Sequence, residues 1–252
     1  MFEEKINVIK GLLFDLNGTV IDIYTSESDD QIYRITANFL DYYGVKIAPC
    51  QLKKLFFELN REQRQQSSEE FPEFDVALIF REIIKRFKSR PISNLQQLSE
   101  TVSILFRAAG RYKLECYDGV YDILNNLKRR YKLGAVSDGQ SLWAVPELRS
   151  VGLEKFFDPV LVSGDFGYRK PDGRLFEKAL EAMQLFPDEV LFIGNDMYRD
   201  VYGGNSAGMK TVFFKSNQGD HNFHGVEADY IIYQFSELPR AIEFLSNQNQ
   251  PN

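Results

Sequence analysis

The chain has 252 residues, of which 44% are apolar and 26% are charged, which is ordinary for a globular protein. This length permits one large domain or two modest domains. The formal net charge of −6 argues against a general nucleic-acid binder, because no excess of cations is available to balance a phosphate backbone.

The sequence carries no recognisable signal for export or membrane insertion. Residues 1–10 mix charged and apolar side chains, and no apolar run approaches the length that spans a bilayer. Cys50 and Cys116 lie far apart without metal-ligand spacing and are expected to be buried, reduced thiols. His221 and His224 lie in a polar loop and are expected at the surface. We therefore expect a cytoplasmic protein that does not bind membranes.

The first predicted strand is the apolar run Gly11–Phe14, which is too short for a helix and stops at Asp15. Asn17 and Gly18 follow and are typical of a turn. Short apolar runs of this kind form strands that are buried on both faces of a parallel sheet. Asp15 should then lie beyond the carboxyl end of a strand, where open α/β sheets build their sites, although a role limited to capping the turn is the alternative.

A helical region follows, and no strand is predicted between Thr25 and Tyr112. Apolar residues at helical spacing predict helices at 29–43, 51–60, 74–87 and 93–109. The polar segment Gln63–Phe74 is predicted to be a loop or a fraying helix end. The apolar stripes of these helices are expected to pack together as a core rather than to bind a cofactor.

From Cys116 onward, strands and helices alternate. Strands are predicted at 132–137, 160–163, 190–194, 210–214 and 230–232, and helices at 118–130, 142–151, 173–183, 200–207 and 236–245. Such alternation predicts a parallel sheet covered by helices on both faces. Because the first strand has no strand partner before about residue 133, the helical region is predicted to be an insertion directly after that strand. The polar tail 246–252 is expected to fray.

Two later strand ends carry residues that suit the binding of a phosphoryl group. Ser137 ends one strand just before Gly139, and its hydroxyl and the nearby backbone N–H groups suit an anion, although a helix N-cap is the commoner role. Lys170 stands before Pro171 and offers a compact positive charge, although a lone lysine is more often simply solvated.

A third strand end carries two carboxylates. Asp196 and Asp200 follow the predicted strand 190–194 and lie four residues apart, so that both can face one side of a turn leading into a helix. Carboxylates this close repel one another unless a cation lies between them, and Mg²⁺ takes oxygen ligands from one or two carboxylates together with phosphate and water. The alternative is that both acids only stabilise a helix N-terminus.

In their order along the chain, these strand ends resemble those of the haloacid dehalogenase superfamily of hydrolases, in the branch with a helical cap inserted after the first strand. The resemblance covers residues 8–22 and 115–246, whereas 23–114 match only in position and helical character. It implies an α/β fold with a three-layer, Rossmann-like parallel sheet core, formed by residues 1–22 and 115–252, and an all-helical cap domain at 23–114.

The resemblance also implies roles for individual residues. The first strand of the family ends in Asp-x-Asp-Gly-Thr, and its first Asp, which is the nucleophile, corresponds to Asp15. Ser137 corresponds to the residue that binds the phosphoryl oxygens, and Lys170 to the lysine that balances the charge of the nucleophile and the phosphate. The remaining substrate-binding positions are Gly18, Thr19, Asp138 and Gly139.

A Mg²⁺ cofactor is implied as well, held by Asp15, Asn17, Asp196 and Asp200. The family's fourth motif is Gly-Asp-x-x-x-Asp, which Asp196 and Asp200 match best, with Asn195 as an extra residue before them. An alternative register puts Asn195 in the place of the first acid. Asp196 is the preferred ligand, because a carboxylate binds this cation better than an amide does. Asp200 is expected to orient a metal-bound water or a neighbouring group.

One position departs from the family pattern. Phosphatases of the family carry a second Asp that serves as general acid and then as base, and this chain has Asn17 there. The backbone carbonyl of Asn17 can still bind Mg²⁺, but its amide side chain cannot exchange a proton near neutral pH. Such acid–base help is typically worth about 10²–10⁴-fold in rate. Other branches carry Tyr, Ala or Thr at this position, so Asn17 selects no branch.

The expected function is therefore a Mg²⁺-dependent phosphatase, acting on a small phosphorylated metabolite through an aspartyl-phosphate on Asp15 and slowed by Asn17. The alternatives are a dehalogenase-type hydrolase that attacks carbon and a non-catalytic protein that binds phosphate or a partner. Deamidation at Asn17–Gly18 would restore a carboxylate in a preparation. Residues 24–30 and the adjoining cap helix are expected to face Asp15 across a cleft. A monomer and a homodimer are both compatible with the sequence.

Overall fold

The computed structural model describes residues 8–247 and contains eight strands and nine α-helices in that part of the chain. The strands are β1 (Gly11–Phe14), β2 (Ile21–Thr25), β3 (Arg111–Cys116), β4 (Lys132–Ser137), β5 (Val160–Val162), β6 (Val190–Gly194), β7 (Lys210–Phe214) and β8 (Tyr230–Ile232). The helices are α1 (Asp30–Tyr42), α2 (Pro49–Gln66), α3 (Val76–Phe87), α4 (Leu95–Gly110), α5 (Val120–Leu127), α6 (Ser141–Ser150), α7 (Gly173–Met183), α8 (Gly203–Ser206) and α9 (Leu238–Asn247).

Six strands form one parallel sheet in the order β5-β4-β1-β6-β7-β8. β1 lies between β4 and β6, and Leu13 is in register with Gly134 on one side and with Phe192 on the other. This confirms the predicted parallel sheet and the prediction that the first strand has no partner strand before about residue 133. Since all six strands are parallel, their carboxyl ends lie along one edge of the sheet.

Helices cover both faces of this sheet. Successive side chains of a strand point to opposite faces, and Leu12 and Phe14 pack in one buried cluster while Leu13 packs in another. The first cluster includes residues of α5 and α9, and the second includes Phe176 and Ala179 of α7. The core therefore has three layers, as predicted.

Helices α1 to α4, which lie between β2 and β3 in the sequence, pack together as a second hydrophobic core. Phe56 of α2 lies at its centre, with ring centroids 4.6 Å from Phe106 and 5.7 Å from Phe80. Trp143 of α6 also belongs to this cluster, and its indole N–H donates to the carbonyl of Ser103 at 2.9 Å. The predicted apolar stripes are thus packed as core, and a helix of the sheet domain contributes to them.

The link between the sheet and the helical insertion was missed. β2 and β3 form an antiparallel ribbon, with Ile21 paired to Cys116 and Ile23 paired to Leu114. The segment 111–116 mixes charged and apolar residues and is only half-buried, so its alternation is weaker than that of the sheet strands. The prediction of no strand between Thr25 and Tyr112 was therefore wrong at both ends of the insertion.

Two helix boundaries also differ from the prediction. α2 continues to Gln66, because Gln63 exchanges two hydrogen bonds with the backbone of Asp75, at 2.8 and 3.2 Å, which hold its last turn against the following loop. The predicted helix 200–207 begins earlier, as a π-helical turn at Met197–Tyr202 that leads into α8. Asn247 ends α9, and the rest of the predicted polar tail lies outside the described residues.

The expectations for cysteine and histidine hold only in part. Cys50 is exposed at the start of α2 and Cys116 is half-buried, so neither is the buried thiol that was expected, although both are unpaired. His224 is exposed, whereas His221 is half-buried and contacts the Phe213 ring. Within residues 8–247, no helix combines the length and apolar character needed to cross a bilayer.

A buried ion pair joins the helical insertion to the sheet domain. Arg107 of α4 donates two hydrogen bonds to the carboxylate of Glu147 on α6, at 2.7 and 3.1 Å. Arg111 lies 3.5 Å from the same carboxylate, whose side chain is only 2% exposed. Glu147 is therefore the point where two cations of the insertion meet the core.

We expect Glu147→Gln to lower the free energy of unfolding by about 3 kcal/mol, because breaking one side of a buried ion pair leaves an unpaired charge. Urea denaturation measures this loss. Glu154→Gln is the matched control, because it removes the same charge from an exposed pair with Arg149, and it should leave stability unchanged. Equal effects of the two variants would contradict a stabilising role for the Arg107 pair.

Candidate active site

A cavity of about 630 Å³ lies at the carboxyl edge of the sheet, between the core and the helical insertion. Core residues in its wall include Asp15, Asn17, Asp138, Lys170, Asn195 and Asp200, and residues of the insertion and its ribbon include Tyr24, Thr25, Glu27, Arg64 and Arg107. Tyr24, Thr25 and Glu27 thus line the same cavity as Asp15, which confirms the prediction for residues 24–30 in part, whereas no residue of the adjoining helix α1 belongs to the wall.

Lys170 lies between two carboxylates on the floor of the cavity. Its Nζ donates to Oδ1 of Asp15 and to Oδ1 of Asp200, both at 2.6 Å, and all three side chains are buried. Burial by itself would lower the pKa of Lys170, but the charges of Asp15 and Asp200 outweigh it and raise that pKa above its ordinary value. The lysine therefore carries a permanent positive charge beside Asp15.

Backbone hydrogen bonds fix Asp200 beside this lysine. Its Oδ2 accepts the N–H groups of Asn195 and Asp196, both at 3.0 Å. Gly194 allows this approach, because a Cβ atom there would lie 2.4 Å from Cβ of Asp200. Burial, with the charge of Asp15, raises the pKa of Asp200, while Lys170 opposes the rise. Asp200 is thus held in a fixed position beside Lys170.

Asp138 positions Lys170 from the other side. Its Oδ1 accepts the backbone N–H of Lys170 at 2.9 Å, and its Oδ2 accepts hydrogen bonds from Arg169 at 3.2 and 3.3 Å. Asp138 was predicted as a substrate-binding position, but these contacts engage both of its oxygens. Its carboxylate therefore supports the lysine loop.

Several other predicted residues support the site from below the cavity. Thr19 donates to Asp15 Oδ2 at 3.1 Å and lies 3.2 Å from Asn195 Oδ1. Gly18 has φ of +84°, and a Cβ there would lie 2.3 Å from the amide nitrogen of Asn195, so this position requires glycine. Ser137 is buried and does not line the cavity. Gly139 lines it, but its N–H donates to the hydroxyl of Ser163 at 2.9 Å.

The two candidate metal ligands after β6 have different surroundings. Asp196 caps the π-helical turn, and its Oδ1 accepts the N–H groups of Tyr198 and Arg199 at 3.1 and 2.8 Å. Its Oδ2 accepts from the Arg199 guanidinium at 2.6 Å and from the N–H of Asp220 at 3.1 Å. Burial opposes ionisation, but the hydrogen bonds from Arg199 outweigh it and lower the pKa of Asp196.

Asn195, not Asp196, lines the cavity. This arrangement favours the alternative register, with Asn195 in the place of the first acid, because both oxygens of Asp196 are engaged at the turn that it caps. The contacts of Asp196 with Tyr198 and Arg199 are local, but the sequence alone could not show that the distant residues Asp220 and Thr19 contact Asp196 and Asn195 respectively.

The chain is similar to proteins of one known family. A family model described as haloacid dehalogenase-like hydrolase matches residues 12–214, most of the chain. The chain belongs to this hydrolase family.

Curated relatives of this hydrolase include glyceraldehyde 3-phosphate phosphatase from Pyrococcus furiosus, which is 34% identical over 128 residues, or 50% of this chain and 52% of the relative. Pyrophosphatase PpaX from Bacillus mycoides is 32% identical over 127 residues, or 50% of this chain and 59% of the relative. The chain therefore spans about half the length of these relatives.

Solved structures of the family share its fold. The crystal structure of 2-haloacid dehalogenase from Pseudomonas syringae has a TM-score of 0.68 at 19% identity and covers 94% of this chain and 99% of that one. The crystal structure of the HAD phosphatase from Thermococcus onnurineus has a TM-score of 0.58 at 23% identity and covers 93% and 98%. The fold of this hydrolase is thus that of the haloacid dehalogenase superfamily.

The oxygen donors around Asp15 include fewer carboxylates than the sequence predicted for the metal site. Asp196 and Asp200 are engaged elsewhere, which leaves the carboxylate of Asp15 with the oxygens of Asn17 and Asn195. In residues 8–247, no three or more His, Cys, Asp or Glu side chains are grouped to hold a metal ion. Mg²⁺ in phosphate sites is often bound by one carboxylate together with the substrate phosphate and water. The oxygens of Asp15, Asn17 and Asn195 therefore fit this cation, but they supply only the smallest number of carboxylates that such a site uses.

Sequence analysis missed the charged residues in the upper wall of the cavity. Arg64 of α2 pairs with Glu73 at 3.2 Å, and Arg107 pairs with Glu147. Arg64 and Arg107 lie next to the apolar stripes of α2 and α4. A charged residue beside a buried helix face was the only feature of the sequence that could have indicated their place in the cavity wall. In this hydrolase they form a polar chamber above the Asp15 carboxylate.

We expect Lys170→Met to destabilise the protein more at pH 8 than at pH 5. Without the lysine, burial and the nearby charge of Asp15 raise the folded-state pKa of Asp200 further above the unfolded value of about 3.9. Such groups stabilise the folded state below the unfolded pKa, and this contribution is lost as the pH rises through the folded pKa. The deficit relative to wild type should reach about 3–5 kcal/mol at pH 8 and shrink towards pH 5.

Urea denaturation at several pH values measures this difference. Lys178→Met is the control, because it removes the same charge from an exposed position of α7. A deficit that is equal at pH 8 and pH 5 would contradict the view that Lys170 opposes the rise in the pKa of the buried Asp200.

Proposed function

We propose that this hydrolase is a Mg²⁺-dependent phosphatase that acts on a small phosphorylated compound, with Asp15 as the nucleophile. The observation that carries the proposal is the carboxylate of Asp15, fixed by Lys170 and Thr19 on the floor of a cavity that opens beneath the cap. The relatives named glyceraldehyde 3-phosphate phosphatase and pyrophosphatase PpaX support a phosphorylated substrate.

In the proposed reaction, a carboxylate oxygen of Asp15 attacks phosphorus and the bond to the leaving group breaks. Lys170 neutralises the charge of Asp15 and of the phosphoryl oxygens, so that the anionic nucleophile approaches an anionic substrate. Water then hydrolyses the aspartyl-phosphate, which releases inorganic phosphate and regenerates Asp15. Asp200 and Asp138 hold the lysine in place through both steps.

The residues that would hold Mg²⁺ are Asp15, Asn17 through its carbonyl, and Asn195 through its amide oxygen. When bound, this cation supplies charge neutralisation and orientation of the phosphoryl group. Asp196 is paired with Arg199, and Asp15 and Asp200 share Lys170, so this set of ligands contains the single carboxylate of Asp15. We therefore infer weaker Mg²⁺ binding than in a site with two carboxylate ligands.

Asn17 restricts the proposed reaction to particular leaving groups. An alkoxide needs a proton as it departs, whereas an aryloxide, a phosphate or another weakly basic group does not. Asn17 lines the cavity but has no proton to give. Substrates with weakly basic leaving groups are therefore expected to react fastest.

We expect wild-type protein to hydrolyse p-nitrophenyl phosphate with Mg²⁺ and to stop when the metal is chelated. Asp15→Asn should reduce the rate to background, because the nucleophile is gone. Asn17→Asp should raise kcat for an alkyl phosphate by about 10²–10⁴-fold and raise that for the aryl ester much less, because only the former needs a general acid. Steady-state kinetics with both esters test this.

Asn222→Asp, which makes the same chemical change in an exposed loop, is the control and should behave as wild type. Intact mass and peptide mapping of the wild-type protein must accompany the assay, so that deamidated Asn17 is not mistaken for activity. Turnover that survives Asp15→Asn would refute the proposed nucleophile. An inactive wild type with an active Asn17→Asp variant would instead favour a binding role.

We expect Asn195→Asp to strengthen Mg²⁺ binding at least about tenfold, which corresponds to about 1.4 kcal/mol, because it adds a carboxylate to the donor set. Asp196→Ala should leave the Mg²⁺ affinity unchanged. It should lower stability by about 0.5–2 kcal/mol, because the turn loses its N-cap. Calorimetric titration with Mg²⁺ and thermal unfolding separate the two effects. If Asp196→Ala abolishes Mg²⁺ binding and Asn195→Asp does not change it, Asp196 is the metal ligand instead of Asn195.

A further inference from the structure

One carboxylate in the wall of the cavity has no partner among residues 8–247. The wall contains seven carboxylates, and six of them form ion pairs with a lysine or an arginine, namely Asp15, Asp22, Glu73, Asp138, Glu147 and Asp200. The seventh is Glu27, whose carboxylate has neither an ion pair nor a hydrogen bond to any residue in the range 8–247.

Glu27 is held in place by its backbone. It lies between β2 and α1, and its carbonyl accepts the hydroxyl of the buried Tyr33 at 2.7 Å. The side chain is half-buried and belongs to the cavity wall. A substitution at Glu27 that keeps this backbone contact therefore changes the cavity without removing a support of the fold.

The surroundings of Glu27 offer it no free cation. Arg107 and Arg64 lie close enough to affect its charge, but Arg107 is paired with Glu147 and Arg64 with Glu73. Burial raises the pKa of Glu27, and these paired arginines do not cancel the rise. A desolvated carboxylate without a donor is costly, so a ligand that brings a donor would gain by binding there.

We propose that Glu27 binds an O–H or N–H donor group on the leaving-group side of the substrate and disfavours a second anionic group at that position. The inference rests on the proposed function for the location of the phosphoryl group at Asp15. It deepens that function, because it selects hydroxyl- or amine-bearing phosphate compounds from the wider class. Glu27 acts here as a specificity-determining residue.

The test uses alkyl phosphates of several chain lengths that end in an ammonium, a hydroxyl or a methyl group. Binding is measured by calorimetry in the Asp15→Asn variant, so that no turnover is needed. The ammonium and hydroxyl ligands should bind at least about tenfold more tightly than the methyl ligand at the chain length that reaches Glu27, a difference of about 1.4 kcal/mol. A carboxylate-ended ligand should bind more weakly than the methyl ligand.

Two substitutions in the Asp15→Asn background separate the donor types. Glu27→Gln should abolish the preference for ammonium and keep part of the preference for hydroxyl, because an amide oxygen still accepts a hydrogen bond. Glu27→Leu should abolish both preferences. Glu62→Gln, an exposed carboxylate on α2 outside the cavity, is the matched control and should leave all affinities unchanged.

The outcomes distinguish this inference from the proposed function. Equal affinities for the three end groups at every chain length, or equal losses for all of them in Glu27→Leu, would overturn the role of Glu27. A Glu27-dependent preference in a wild-type protein that hydrolyses no phosphate ester would support the role of Glu27 and overturn the phosphatase. If no alkyl phosphate binds, both proposals fail.

Discussion

The site depends on the ammonium of Lys170, which lies between two buried carboxylates. Asp15, Lys170 and Asp200 come from three distant segments, and each requires the others, because any one of these charges alone would be costly to bury. The surrounding structure serves this arrangement: Thr19 fixes Asp15, Asp138 fixes the lysine backbone, and the N–H groups after Gly194 fix Asp200. A buried ion cluster of this kind contributes geometry rather than net stability.

Much of the fold and the floor of the site could be predicted from the sequence. Strands buried on both faces read as short apolar runs, and parallel strands place their carboxyl ends together, so the convergence of Asp15, Lys170 and Asp200 follows from the order of the segments. The β2–β3 ribbon could not be predicted in this way, because it is half-exposed and its apolar pattern is diluted by charge. The choice between Asn195 and Asp196 depended on contacts across the chain.

Two asparagines alter the electrostatics of the site in the same direction. Carboxylates in the places of Asn17 and Asn195 would add two negative charges near the one ammonium of Lys170. With amides there, the carboxylates of the floor are Asp15 and Asp200, and both are already paired with Lys170. The floor therefore carries less excess negative charge than it would with four carboxylates, and a metal has less to neutralise before substrate arrives.

The charges of the polar chamber, unlike those of the floor, are paired as separate arginine–glutamate ion pairs. Its arginines are paired with Glu73 and Glu147, so they shape the chamber and attach the cap but have little charge left to offer an anion. In the proposed complex, Lys170 would attract the phosphoryl group, and the carboxylate of Glu27 would face the group that the phosphate carries. A substrate with an anionic head and a hydrogen-bond-donating tail matches both ends at once, which gives the cavity a direction in which the ligand must enter and lie.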